Sequence, residues 1–165
     1  MTTTVTAGPA TPGLGAPGAA MEAVQLVRDI RAGRFEKTMS GLTAIGAAVT
    51  AVEIWTSHDG ASFGNKMMWL PVIVVPAAIP AGIAGVLSAR AARTVLPLTS
   101  ALIVANGLQG TYLHWRGIAQ KPGGLRHNFR YNLEMGPPVF APLLASLVGG
   151  MGLLASLLRR EGSGR

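Results

Sequence analysis

The sequence predicts an all-α integral membrane protein: a bundle of four transmembrane helices, with one interfacial amphipathic helix before the first span and another in the third loop. Of its 165 residues, 49% are hydrophobic and 13% are charged, about half the charged share usual in a soluble domain. Long apolar runs recur along the chain with basic residues at their ends. Most of the 22 glycines and 11 prolines fall within or beside these runs, which helices in a bilayer tolerate.

The N-terminal region divides into two segments. Residues 1–20 are mostly Thr, Pro, Gly and Ala without a charged side chain, so we predict a disordered tail there. In residues 21–37, apolar side chains recur at helical spacing beside a basic ridge, namely Val24, Val27 and Ile30 beside Arg28, Arg31 and Arg34. This pattern is typical of an amphipathic helix that lies on a membrane surface.

Four spans are predicted within a transmembrane domain of residues 38–158. They cover residues 39–55, 67–89, 95–115 and 137–158, and residues 159–165 form a basic tail. The first span is the weakest, since its length of about 17 residues is at the lower limit and Glu53 interrupts it. Pro76 and Pro80 predict a kink in the second span.

The basic residues predict the orientation. If the N-terminus is cytoplasmic, nine of the 14 Lys and Arg side chains lie inside and five lie in the outer loops, at Lys66, Arg116, Lys121, Arg126 and Arg130. The positive-inside rule then favours cytoplasmic N- and C-termini. The heavy use of Ala, Gly and Arg favours a bacterial cell membrane. Because the charges flank apolar spans, the net charge of +7 indicates contact with lipid and excludes a nucleic-acid partner.

Small residues spaced four apart predict close contacts between helices. Such stripes occur in three spans: Ser40, Ala44 and Ala48; Ala77, Ala81, Gly85 and Ala89; and Ala141, Ala145 and Gly149. They account equally for packing within the chain, for self-association and for binding to other membrane subunits.

The one constellation that points to chemistry is Glu53, His58 and His114. The first and third spans run in the same direction, so these residues are expected at the same membrane face, which is the outer one in this orientation. Two histidines and a carboxylate are the ligands of many iron and zinc sites, and two histidines can hold a haem. On an unbroken helix Glu53 and His58 would lie about 140° apart, so a shared site requires the helix to end between them. Hydrogen-bonded interface residues are the alternative.

Asn106 and Gln109 are polar residues near the middle of the third span. Their spacing of three places them on one face. They either hydrogen-bond to another helix or line a polar cavity that accepts a quinone or another carbonyl compound.

The third loop, residues 116–136, predicts a short amphipathic helix because Leu125, Phe129 and Leu133 recur at four-residue spacing. Such a helix would cap the bundle, cover the face with Glu53 and His114, or dock a soluble partner. His127 would then be a third imidazole nearby.

Three functions remain open. The sequence lacks a phosphate-binding loop and a nucleophile elbow, and it has no cysteine for a thiolate metal site. An accessory or anchoring subunit of a membrane complex, including a redox complex, accounts best for the small-residue faces and the missing catalytic motif. A metal- or haem-binding membrane protein is the first alternative. A small transporter is the second, disfavoured because the spans show no inverted repeat.

Overall fold

The computed structural model describes residues 16–32 and 34–160. In this part of the chain the regular secondary structure is entirely helical, and there is no strand. Most of the predicted tail and the last five residues lie outside this part of the chain. The helices are α1 Ala16–Arg31, α2 Glu36–Gly60, α3 Lys66–Leu87, α4 Ala89–Arg93, α5 Val95–Ala119, α6 Phe129–Glu134 and α7 Phe140–Leu157.

The first helix is shifted towards the N-terminus relative to the prediction. It begins at Ala16, five residues before the expected start, and tolerates Pro17 because a proline in the first turn interrupts no helical hydrogen bond. It ends at Arg31, whereas the predicted amphipathic helix extended to Lys37. Glu36 and Lys37 instead form the first turn of α2. The side chains of Val24 and Val27 are exposed.

Three helices, α2, α3 and α7, are long and apolar enough to cross a membrane, so the chain has the character of a membrane protein. The remaining expected span, the third one at residues 95–115, corresponds to α5. That helix has 25 residues, a sufficient length, but polar side chains such as Asn106 and Gln109 reduce its hydropathy. The helix boundaries extend beyond the predicted first and third spans, to Gly60 and Ala119.

Helix α3 is irregular in two places. Its first three residues, Lys66–Met68, form a 3-10 turn, and the Asn65 side chain accepts a hydrogen bond from the Met67 amide at 2.9 Å. A second 3-10 turn, Val75–Ala77, interrupts the helix around Pro76, which lacks the N–H that a regular helix needs. The irregularity therefore lies at one of the two prolines that predict a kink.

The long helices pack against one another through small residues. The closest association is between α5 and α7, and α2 packs against both α7 and the second half of α3. Ala44, Ala81, Ala145 and Gly149 are buried at these contacts. A large part of the predicted small-residue stripes is thus used inside the chain, although Ala77 and Ala89 remain exposed.

The two ends of the assembly carry different groups. At one end the start of α2 lies beside the end of α3, where the Arg160 side chain contacts both Glu36 and the Gly85 carbonyl. The end of α2, the start of α3, the end of α5 and the start of α7 meet at the opposite end, where they surround a cavity.

Candidate functional site

A cavity of about 720 Å³ lies between α2, α3, α5 and the start of α7. Its inner part is bounded by buried residues that include Ile54, Asn106 and Ala145, and its outer part by exposed ones that include Ala61 and Gln120. A volume of this size accommodates a small organic molecule.

Five of the six polar residues that the sequence analysis considered for a site line this cavity. They are Glu53, His58, Asn106, Gln109 and His114. The parallel direction of α2 and α5 brings the two histidines and the carboxyl group to the same end. Asn106 and Gln109 lie earlier on α5 and line the same cavity, Asn106 as a buried residue and Gln109 as an exposed one. His127, the expected third imidazole, is exposed and lies outside the lining.

The arrangement lacks the geometry of a three-ligand metal centre. Helix α2 continues without a break to Gly60, so Glu53 and His58 lie about 140° apart around its axis. Within residues 16–32 and 34–160, no group of three His, Asp or Glu side chains could hold a metal ion. The condition set by the sequence, a helix end between Glu53 and His58, is not met.

Each cavity histidine donates a hydrogen bond to a backbone carbonyl. The Nδ1 atom of His58 lies 2.7 Å from the Ile54 oxygen, and that of His114 lies 2.8 Å from the Pro138 oxygen. A carbonyl oxygen accepts hydrogen bonds, so the proton of each ring is on Nδ1. In the neutral ring, Nε2 is then an acceptor that can serve a ligand. The His114 bond also joins α5 to the segment that precedes α7.

Asn106 is the deepest polar group of the cavity wall. Its side chain is 9% exposed, and Oδ1 is buried without a hydrogen-bond partner. A buried acceptor left without a partner costs about 1–3 kcal/mol. Among the described residues Ser100 Oγ is in the same situation, but Ser100 is not part of the cavity lining. A ligand that enters the cavity and carries a donor would relieve the cost at Asn106.

Gly107 lies next to Asn106 and brings α7 close to α5. A Cβ atom at this position would be 2.6 Å from the Pro142 oxygen, well inside contact distance. The backbone of α7 thus occupies the space that a side chain at position 107 would need. The residue that bounds the cavity at this point is therefore Pro142, which also lines it.

The third loop contributes the outer part of the wall. Its helical portion, Phe129–Glu134, is shorter than predicted. The Asn132 side chain is buried and donates to the carbonyls of Pro122 and Gly124, at 3.1 and 2.9 Å. Lys121 Nζ donates to the Met135 oxygen at 3.0 Å.

These bonds hold the end of the loop, from Met135 to Pro138, in the cavity lining. The end of the loop thus lies in the same cavity wall as Glu53 and His114, and which of the three expected roles the loop has stays a prediction. The sequence analysis did not identify Met67, Met68 or Met135 as lining residues. An apolar thioether carries no local signal that separates a cavity wall from lipid contact.

Aromatic side chains lie beside the cavity. Phe63 stacks on Trp69 with ring centroids 4.2 Å apart, and Trp55 meets Phe63 edge-on at 5.6 Å. Phe63 adopts this position with a φ angle of 46°, which is uncommon for a residue other than glycine. Tryptophans at helix ends are typical of the membrane interface. Their presence agrees with the prediction that the end of the assembly with the cavity lies at a membrane surface.

Comparisons with protein-family models, with curated proteins and with solved structures find no match to this chain.

Proposed function

We propose that the chain is a four-span membrane protein that binds a small amphipathic molecule in the cavity lined by Glu53, His58 and His114. The observation that carries the proposal is the unpartnered Oδ1 atom of Asn106 at the inner part of a cavity of about 720 Å³. The wall of this cavity combines apolar side chains with ten polar or charged ones, most of which are exposed, so both the apolar body and the polar groups of a small molecule find contacts there.

In this proposal helix α5 also crosses the membrane, which brings the number of spans to four. Its 25 residues would extend about 37 Å at 1.5 Å per residue, more than the roughly 30 Å of hydrocarbon in a bilayer. Its two most polar mid-helix residues, Asn106 and Gln109, both line the cavity. Polar side chains inside a membrane are expected at a bundle interior or a cavity, so the lower hydropathy of α5 fits a span that forms part of a site.

Both termini are cytoplasmic in the proposal, on the basis of the nine inner and five outer basic residues. The cavity then opens towards the outer face of the membrane. In this orientation α1 lies at the cytoplasmic surface, where its exposed side chains of Val24 and Val27 would rest on the lipid.

The test uses the absence of natural cysteines in the chain. Leu113 lines the cavity. Leu102 lies on the same helix outside the cavity lining, and 63% of its surface is exposed. In native membranes, N-ethylmaleimide should alkylate Leu113→Cys and should leave Leu102→Cys largely unmodified, since a thiol in lipid does not ionise. Small neutral alcohols and ethers should slow the alkylation of Leu113→Cys at least tenfold at saturation.

Failure of every such compound to protect Leu113→Cys would contradict the proposed function. Equal alkylation of the two cysteines would show that the cavity does not exist in the membrane.

An accessory or anchoring subunit of a membrane complex is the second candidate. It is favoured by the exposed side chains of Tyr131 and Met135, which are 62% and 63% accessible and lie beside the basic Arg130. The small-residue faces give this candidate less support than the sequence alone suggested, because many of them pack inside the chain. Purification in a mild detergent tests it: a partner chain in constant ratio supports it, and a monomer without one opposes it.

A metal or haem held by His58 and His114 is the remaining candidate from the sequence. The two Nε2 atoms suit such a ligand, but the carboxylate of Glu53 does not complete a centre with them. Metal content and the haem absorption band of the purified protein test this candidate, with His114→Ala as the variant that should lose either signal.

A further inference from the structure

The hydrogen-bonding character of the cavity wall selects the kind of ligand, an inference that rests on the proposed function. The buried atom without a partner, Asn106 Oδ1, is an acceptor. The two histidines also offer acceptors, because each has its Nδ1 proton committed to a backbone carbonyl. The lining also carries donors, on residues such as Gln109, Arg116 and Lys121, but these side chains are exposed or half-buried and belong to its outer part. Lys121 gives one of its three donors to the Met135 carbonyl. A ligand that pairs with the buried Oδ1 atom of Asn106 must bring a hydrogen-bond donor to it.

Charge separates the two common organic donors, ammonium and hydroxyl groups. The lining contains one carboxylate, Glu53, and two cations, Arg116 and Lys121. When the two histidines are neutral, the lining has one more cation than it has carboxylates. Such a lining does not attract an ammonium ion. A neutral hydroxyl group donates to Asn106 without an unpaired charge in the inner part of the cavity.

The rest of the wall selects the body that carries the hydroxyl group. Leu70, Leu113 and Pro142 provide apolar contacts, and three methionines, Met67, Met68 and Met135, also line the cavity. Thioether sulfur atoms make favourable contacts with aromatic rings. A sugar or another polyol would pair with the polar side chains of the outer part, and its remaining hydroxyl groups would lack partners against these apolar side chains.

We propose that the ligand is a phenol: a neutral, largely apolar aromatic molecule whose hydroxyl group donates to Oδ1 of Asn106. A hydroquinone has the same chemistry and belongs to the class. The proposal assigns Asn106 as the specificity-determining residue of the cavity, which discriminates a hydroxyl donor from an ether, a methyl group or a carbonyl.

The test compares three compounds that share one ring: 2,3,5,6-tetramethylphenol, its methyl ether and pentamethylbenzene. Each compound is added to native membranes that contain Leu113→Cys, which are then treated with N-ethylmaleimide. The concentration of the compound that halves the alkylation rate is measured. The phenol should bind at least tenfold more tightly than the ether and the hydrocarbon. Asn106→Leu, made in the same Leu113→Cys background, should reduce this preference to about twofold or less.

The matched control is Ser100→Ala, which removes the second buried oxygen without a partner among residues 16–32 and 34–160 and lies outside the cavity lining. It should retain the full preference for the phenol. Because each ratio is taken in the same membranes, differences in lipid partition cancel between variants.

The outcomes separate the two proposals. Protection by all three compounds at similar concentrations would overturn the phenol inference and leave the binding function standing. Protection by none would overturn both. A preference that survives in Asn106→Leu would show that another residue reads the hydroxyl group, and the assignment of Asn106 would be wrong. If Asn106→Leu does not fold, the phenol inference is still tested by the three compounds in the Leu113→Cys protein, which keeps Asn106.

Discussion

Arg160 and Glu36, separated by 124 positions in the sequence, form a salt bridge that closes one end of the helical assembly. Nη1 of Arg160 lies 3.2 Å from Oε1 and 3.1 Å from Oε2 of Glu36. Glu36 itself is buried, with 1% of its surface exposed. The same guanidinium donates to the carbonyls of Gly85 and Val86, at 3.2 and 2.9 Å. One side chain thus joins the start of α2, the end of α3 and the segment after α7, opposite to the cavity.

Replacing Arg160 should destabilise the protein strongly. Arg160→Ala leaves the Glu36 carboxylate buried without its cation, and removal of one partner of a buried pair costs about 3–5 kcal/mol. We expect the lower part of this range because 18% of the Arg160 side chain is accessible. The free energy of unfolding in mixed detergent micelles measures the effect.

The neighbouring Arg159 provides a matched control because its side chain is exposed. Arg159→Ala should change stability by no more than about 0.5 kcal/mol. The double variant Glu36→Leu with Arg160→Leu should lose less than the two single variants together, since neither charge is then left alone. Equal losses for Arg159→Ala and Arg160→Ala would contradict the role of the salt bridge.

The contact between α5 and α7 predicts a large difference between two adjacent glycines. A Cβ atom at Gly149 would lie 2.7 Å from the Ser100 oxygen and 3.0 Å from the Val104 nitrogen. These are backbone atoms, so Gly149→Ala should force the helices apart and cost about 1–3 kcal/mol.

At Gly150 a Cβ atom meets nothing within 4 Å. Gly150→Ala should be neutral or should stabilise by up to about 1 kcal/mol, because alanine favours a helix over glycine. Thermal unfolding in detergent compares the two variants. If both have the same effect, the close approach of α5 and α7 at Gly149 is not maintained in solution.

Asn106 should be a residue at which stability and binding oppose each other. Asn106→Leu removes a buried oxygen without a partner, so the ligand-free protein should become more stable by about 1–3 kcal/mol. Ser100→Ala should have the same sign, for the same reason. The melting temperatures of the two variants without added ligand test this prediction. A less stable Asn106→Leu protein would indicate that a bound water satisfies Oδ1 when the ligand is absent.

The four-span topology predicts the location of reporter fusions. Alkaline phosphatase should be active after Ser57 and Gly123, at the end with the cavity, and inactive after Ala92 and Arg165. Green fluorescent protein should show the reverse pattern, because it fluoresces in the cytoplasm. Phosphatase activity at Ala92 would overturn the proposed orientation.

Much of the helical framework follows from local features of the sequence. Hydropathy, helical periodicity and the residues that end helices act over a few turns, so the apolar helices α2, α3 and α7 are recognisable without any tertiary contact. The direction of successive spans then predicts that Glu53, His58 and His114 lie at one end. The same reasoning places Asn106 and Gln109 on one face of α5, the face that the structure turns to the cavity.

Local sequence patterns therefore establish the class of protein and predict which polar residues gather at one end. The tertiary structure decided how these residues relate to one another. Helix α2 continues to Gly60 instead of ending near Trp55, and this separates Glu53 from His58 around the helix axis. The Glu36 and Arg160 pair was not visible in the sequence, because it depends on how α2, α3 and the segment after α7 dock. Docking is the sum of many small packing contacts across the whole assembly, and no local pattern in the sequence contains that sum.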